Sequence, residues 1–363
     1  MRMPEVAYMR WAKALPKART NLARSGVVPC PPELLGLKPA DLVTNLPVHD
    51  GYGPLLDALA RRYHVERSQV YTVSGGTSFA NWLAAAAVLN GAPARAEVIV
   101  ERPTYEPLHL IPVALGHRVR RFDRRFDEDF RVDLDRFARL VTPRTRLAIV
   151  SQLHNPSGAS IDEGTLATIA GLLARVGATL LVDEVYAECL FGRTTASAVH
   201  AGGNVVTTNS LTKAYGLDGL RAGWILGPSE AVAEAARIND LMTNNGVAPA
   251  ERMSVAALRH LPAIRRRAQA VLRPNLARVA AYLRDETRLS AVVPSGGSVV
   301  FPRLPAGLDG DRVATHLREQ YDTLVVPGRF FEARHHVRVS FGVPPAQLER
   351  GLRALSRTLD DLA

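Results

Sequence analysis

Between residues 70 and 227, short apolar runs alternate with helical stretches, and most of the runs are apolar along their whole length. A strand with one face in water alternates apolar and polar residues; a strand covered on both faces does not. VYTVSGG (70–76), EVIVERP (97–103), HRVRRFD (117–123), RTRLAIVSQLHNP (144–156), ATLLVDEVY (178–186), NVVTTNSLTK (204–213) and GWILG (223–227) read as strands. TSFANWLAAAAVLN (77–90), YEPLHLIPVALG, VDLDRFARLV and DEGTLATIAGLLARVG (162–177) read as helices between them. The pattern predicts an α/β fold: a mostly parallel sheet sandwiched by helices. In such sheets ligands lie beyond the carboxyl ends of the strands. The polar residues that close these runs are therefore the place to look for a site.

The last hundred residues differ. An arginine-rich helix over about 262–288 precedes short strands near 297–301, 324–326 and 336–340, and a final helix starts at Pro345. This reads as a smaller α+β domain, which the proline-rich, irregular first 45 residues are expected to join. The expected division is a large domain over 46–250 and a small one built from 1–45 plus 251–363.

Composition removes several classes of function. The net charge is +10, but only four of the 45 basic residues are lysines: Lys13, Lys17, Lys38 and Lys213. The arginines are scattered, so a solvated surface is a better reading than a nucleic-acid track. No apolar run has the length of a membrane span, and the first residues lack the apolar core of a signal peptide. Cys30 and Cys189 form neither a disulfide framework nor a zinc cluster. A reduced, cytoplasmic protein without a metal site is expected. There is no GxGxxG after a strand, no GxxxxGK[ST] and no GxSxG.

Three strand ends carry unusual polar residues. Asp183-Glu184 closes an apolar run, where a carboxylate is costly unless paired; alone it would suit a helix cap or an ion pair. Asn155-Pro156-Ser157-Gly158 alone would be a good turn. Lys213 alone would suit the surface, yet it is the only lysine among residues 39–363 and follows the hydroxyls of Ser210 and Thr212. Together they suit one ligand. A lysine amine can form a Schiff base with an aldehyde. A carboxylate can keep a pyridine nitrogen protonated, making the ring an electron sink. Asparagine can donate to a phenolate oxygen. Ser210, Thr212 and Arg221 can hold a phosphate, as can the helix start at Gly75-Gly76-Thr77-Ser78. The ligand so described is pyridoxal 5′-phosphate (PLP).

These motifs, in this order, resemble the fold-type I, class I/II aminotransferases. SGGTS resembles the family's phosphate loop, with helix-start amides at Gly76, Thr77 and Ser78. PTY places Tyr105 where the family stacks an aromatic ring on the pyridine. NPSG places Asn155 at the cofactor's 3′-oxygen, and VDEVY places Asp183 at the pyridine nitrogen and Tyr186 at the 3′-oxygen. SLTKAYGLDGLRAGW resembles the segment around the Schiff-base lysine, with Ser210, Thr212 and Arg221 on the phosphate and Lys213 on the aldehyde. VRVSFG resembles the segment whose arginine grips the substrate α-carboxylate, here Arg338; alternation puts His336, Arg338 and Ser340 on one face and Val337, Val339 and Phe341 on the other. NLARSGVVP resembles the stretch that closes over substrate around Gly26, and Arg24 beside it would suit an acidic substrate side chain.

The resemblance implies an aminotransferase acting between an L-amino acid and a 2-oxo acid. Lys213 would be the general acid/base, and Asp183 and Tyr186 would act on the ring. It also implies a homodimer with the site at the subunit interface. Lyases, decarboxylases and cyclases share the fold and are the alternative; a PLP-binding regulator is a remote one, since the enzyme fold uses the whole chain. One departure stands out. The family's tyrosine that crosses to the partner's phosphate is missing near Leu46, and His49 and Tyr52 are out of register.

Overall fold

The computed structural model describes residues 3–45, 51–190 and 196–363. The expected site of the cross-subunit tyrosine, near Leu46 and His49, lies outside the described residues. Seven strands form one sheet in the order Val70–Ser74, Ala222–Leu226, Val205–Ser210, Thr179–Asp183, Thr145–Ser151, Glu97–Arg102, Arg118–Asp123. Ala222–Leu226 runs antiparallel to both neighbours, and every other pairing is parallel. The fold is thus α/β with a mostly parallel sheet.

The unbroken apolar runs serve two cores at once. Val98, Val100, Leu147, Ile149 and Leu181 pack on one face with Ala80, Leu83 and Ala84 of the helix Gly76–Leu89. Ile99, Ala148, Val150, Leu180 and Val182 pack on the other with Leu166, Ile169 and Leu173 of the helix Glu163–Ala174. Alternate residues point to opposite faces, so strands buried on both sides must be apolar throughout. Asp162 starts the second helix by accepting from the Thr165 N–H at 2.8 Å.

Outside this sheet, Val337–Ser340 pairs with Val326–Pro327 and Val299–Val300, both antiparallel. Val337, Val339 and Phe341 join a core that includes Leu348, Leu352 and Leu355 of the helix Pro345–Asp361. Thr20–Asn21 pairs in parallel with Thr323–Leu324.

The first 45 residues are less irregular than their prolines suggest. Ala7–Ala14 is a helix. Two turns give little periodicity to read, and its one buried residue, Tyr8, owes its place to distant partners rather than to helix propensity. The helices Gly53–Tyr63, Ser229–Asn239, Ala248–Arg259 and Gly310–Tyr321 add to those read from the sequence. Among the described residues no helix is long and apolar enough to cross a membrane.

Candidate active site

Parallel pairing brings the polar strand ends into register. Ser151 lies opposite Asp183, and Asp183 opposite Thr208. Above them is a cavity of about 210 Å³ whose lining includes Thr77, Ser78, Tyr105, Asn155, Asp183 and Tyr186. Thr212, Lys213, Arg221 and Arg338 complete that wall. A second cavity of similar volume adjoins it and reaches Arg24, Gly26 and Asp218. Of the residues singled out in the sequence, Ser210 and Gly76 line neither cavity.

Ser210 is fully buried behind the wall. Its Oγ accepts from Thr77 Oγ1 at 2.7 Å and from the Thr212 N–H at 3.2 Å, so it holds the two residues that do face the cavity. Gly76 contributes space. Its N–H donates to the Arg221 carbonyl at 2.8 Å, and a Cβ there would lie 3.1 Å from Arg221 Nη2 and 3.2 Å from Thr212 Oγ1. Its φ of +66° is also one that glycine tolerates best. Thr212 Oγ1 is buried with no hydrogen-bond partner. A helix start, an arginine, an unpartnered hydroxyl and a cleft that a single methyl group would fill suit a phosphate.

Asp183 is 5% exposed. Its Oδ2 accepts from Asn81 Nδ2 at 2.8 Å and its Oδ1 from the Val185 N–H at 3.0 Å. Burial pushes its carboxyl up to about 6, against the pull of these two donors. A cationic ring nitrogen beside it would restore the charged form. Glu184 turns away: its carboxylate accepts from the Ala198 N–H and from Ser197 Oγ at 2.8 Å, and burial pushes it up to about 7. The adjacent acids thus do different work, and Asn81, the one amide of its helix, helps the Val185 N–H to orient the first.

Lys213 is half-buried, and its Nζ donates to Ser25 Oγ at 2.9 Å. Burial pushes its amine down to about 8, and Arg338 pushes in the same direction. A larger neutral fraction makes the amine a better nucleophile. Burial likewise raises the Tyr105 phenol to about 12 and raises that of Tyr186, so both stay neutral.

Arg338 is 1% exposed. Its Nη1 donates to Asn155 Oδ1 at 3.0 Å, and its Nη2 to the Tyr8 hydroxyl at 2.9 Å and the Ala23 carbonyl at 3.2 Å. Its Nε has no hydrogen-bond partner. None of these partners is a carboxylate: the charge is met by neutral dipoles and by the faces of the Phe331 and Tyr8 rings, 5.0 and 5.5 Å away. Arg24, in contrast, is exposed and pairs with Asp218 at 3.4 Å.

Sequence reasoning missed Tyr8, Ser25 and Asn81. Asn81 carried a signal, as the lone amide in FANWLAAAAVL. Ser25 carried none beyond the neighbouring Gly26, and Tyr8 carried none at all. Tyr52, which the sequence left out of register, lies under the Arg252 guanidinium at 5.1 Å and is not among the residues lining the cavity.

A seven-stranded α/β sheet with a lysine, a buried carboxylate and a phosphate cup at its strand ends defines a PLP enzyme of fold type I. The profile of the family "aminotransferase class I and II" matches residues 39–355, and the chain belongs to that family. It is 33% identical over 354 residues to capreomycidine synthase of Streptomyces vinaceus, covering 94% of this chain and 90% of that protein. It is 30% identical to an arginine–pyruvate transaminase of Pseudomonas aeruginosa, covering 72% and 68%. Among solved structures, a PLP-dependent cyclase, OrfR, superposes with a TM-score of 0.89 at 29% identity, covering 100% of this chain and 99% of that one. PLP is the cofactor of this fold and family.

Proposed function

We propose that the protein is a PLP-dependent enzyme that moves an amino group between an L-amino acid and a 2-oxo acid. The observation that carries this reading is Arg338: a buried guanidinium without a carboxylate, in the same cavity as Lys213 and Asp183. A buried cation with only neutral partners is costly. A substrate α-carboxylate would relieve it through a bidentate contact.

In this reading Thr77, Ser78, Thr212 and Arg221 hold the cofactor phosphate, with Ser210 behind them. Asp183 holds the pyridine nitrogen, Asn155 and Tyr186 the 3′-oxygen, and Tyr105 lies against the ring. Bound there, PLP supplies an electron sink for cleavage of a bond at the substrate Cα. Lys213 holds and returns the Cα proton. Gly26 and Arg24 line the adjoining cavity, which would take the substrate side chain. We also propose a homodimer, the arrangement the family resemblance implies, and the domain division 46–250 against 1–45 with 251–363.

A second reading has a specific observation in its favour. The sequence likeness to a synthase extends over nearly the whole of each chain, whereas that to the arginine–pyruvate transaminase is partial. In that reading the same residues serve elimination or ring closure. One experiment separates the two. The PLP-loaded enzyme is mixed with single amino acids, arginine first, without any oxo acid. Transamination converts the cofactor stoichiometrically to pyridoxamine phosphate and then stops; elimination or cyclisation turns over repeatedly with the cofactor's absorbance retained. Repeated turnover would overturn the first reading.

A further inference from the structure

Ser25 is fixed from three sides. Its carbonyl accepts from Ser298 Oγ at 2.7 Å. Two residues on, the Val27 N–H donates to the Lys213 carbonyl at 3.1 Å. Between them Gly26 lies flat on the lysine's backbone: a Cβ there would be 3.4 Å from the Lys213 oxygen and 3.5 Å from its Cα. On the far side, a Cβ at Gly342 would strike the Gly26 carbonyl. Two positions without side chains thus bring the segment 25–27 against Lys213, and the Ser25 hydroxyl reaches Nζ at 2.9 Å. The same hydroxyl lies near enough to the Tyr186 phenol to favour its ionised form, against the effect of burial. Ser25 also belongs to the walls of both cavities, as does Lys213.

We propose that Ser25 is a positioning residue for Lys213: its oxygen holds the free amine at the junction of the two cavities, while its proton is turned to Tyr186. The inference rests on the reading of Lys213 as the lysine that bonds the cofactor. With the proton on the Tyr186 side, a lone pair faces Lys213 and stabilises its charged form. The other groups acting on the amine are Arg338, Arg221 and Arg24, which lower its pKa, and Asp218, which raises it. Asp183 also lies within electrostatic reach. The hydroxyl supplies direction and a short-range acceptor that none of these distant charges can replace.

The test uses the full-length chain as wild type, Ser25→Ala and Ser25→Thr. After removal of PLP, the pH dependence of Lys213 acylation by acetic anhydride is read by mass spectrometry on the Lys213 peptide. Ser25→Ala should titrate about half a unit or more below wild type, since a lost acceptor disfavours the ammonium, and Ser25→Thr should titrate with wild type. In the PLP-loaded enzymes Ser25→Ala should lose roughly tenfold in kcat through misorientation, with the acid limb of its pH profile moved the same way and KM little changed. Equal titration of Lys213 in Ser25→Ala and wild type overturns the proposal, as does a Ser25→Thr variant as impaired as Ser25→Ala. If Ser25→Ala does not fold, Ser25→Cys replaces it: sulfur is a weak acceptor, and a cysteine variant that titrates with the threonine variant overturns the proposal. Borohydride reduction of wild type that leaves no PLP on Lys213 is a separate outcome and sinks the reading of Lys213 itself.

Discussion

The floor and the roof of the cavity are held by different means. Asp183 and Ser210 end strands whose neighbours are fixed residue by residue, from Leu147 opposite Thr179 to Ser151 opposite Asp183. Moving one of them means breaking a ladder buried on both faces. The roof, residues 8 to 27, is held by separate contacts. The Tyr8 N–H donates to Glu106 Oε2 at 2.6 Å, Leu22 N to the Leu324 carbonyl at 2.8 Å, and Ser340 N to the Leu22 carbonyl at 2.9 Å. Floor residues are tied by one continuous ladder; roof residues are tied by single contacts to several distant segments. Chemistry that must not shift belongs on the floor, and recognition of a variable substrate belongs where few bonds need to adjust.

Substitutions should follow this division. The largest effect belongs to Lys213. Lys213→Ala should fold and still bind PLP through the phosphate cup and Asp183, yet lose about 10⁴-fold or more in turnover. Borohydride should fix PLP to the Lys213 peptide of wild type, and a label on Lys38 would place the chemistry elsewhere. Arg338 spans floor and roof, since it bonds both Asn155 and Tyr8. Removing one partner of a buried charge pair costs about 2–5 kcal/mol, so Arg338→Ala should cut kcat/KM by roughly 30- to 5,000-fold. Arg338→Lys should recover only part, because lysine cannot copy a bidentate contact. Loss of melting temperature with normal substrate affinity in the folded fraction would mean that Arg338 only ties the two parts together.

Asp183→Asn tests the floor in two ways. Turnover should fall by about 10²-fold, some 2.7 kcal/mol of transition-state stabilisation. Thermal stability of the PLP-free protein should move the other way. The folded carboxyl titrates near 6, above its ordinary 3.8. The wild type therefore loses stability as pH rises from about 4 through 6, and the asparagine variant does not. Above pH 6 Asp183→Asn should melt a few degrees higher; a lower melting temperature across that range would show Asp183 to be a structural cap. The smallest effect belongs to Arg24 on the roof. Its pair with Asp218 is exposed, a kind worth about 0–1 kcal/mol. Arg24→Ala should leave the melting temperature within about 1–2 °C. A KM for acidic amino acids raised more than about tenfold would make Arg24 the side-chain anchor suggested by the sequence.

The floor was legible because its signals are local. Asp183 follows its apolar run directly, and Lys213 is conspicuous in a chain with four lysines. The roof was not legible, because what puts Tyr8 and Ser25 in the cavity is contact with residues hundreds of positions away. Arg338 falls between: its face was given by alternation, but the neutral character of its partners needed the folded chain. Ser210 shows the limit of a motif. The pattern brought it to the phosphate region, and the burial of its oxygen behind Thr77 and Thr212 assigned it to support. Asn81 was visible as an odd residue and unreadable as a partner, since the helix turn that aims it at Asp183 depends on packing.

The pairing of Thr20–Asn21 with Thr323–Leu324 joins positions 303 apart. Most of the sheet's crossovers connect neighbours in tens of residues, although Val70–Ser74 has its partner only in Ala222–Leu226, about 150 residues on. The roof has no partner strand until Thr323–Leu324 has been made. Ring-closure entropy grows only slowly with length, so the long separation costs little at equilibrium; what it delays is the search. A chain made as far as Leu226 but short of Thr323 would thus hold every residue of the phosphate cup and leave Lys213 uncovered. Covering that amine therefore waits on the pairing of Thr20–Asn21 with Thr323–Leu324, not on the sheet that carries the lysine.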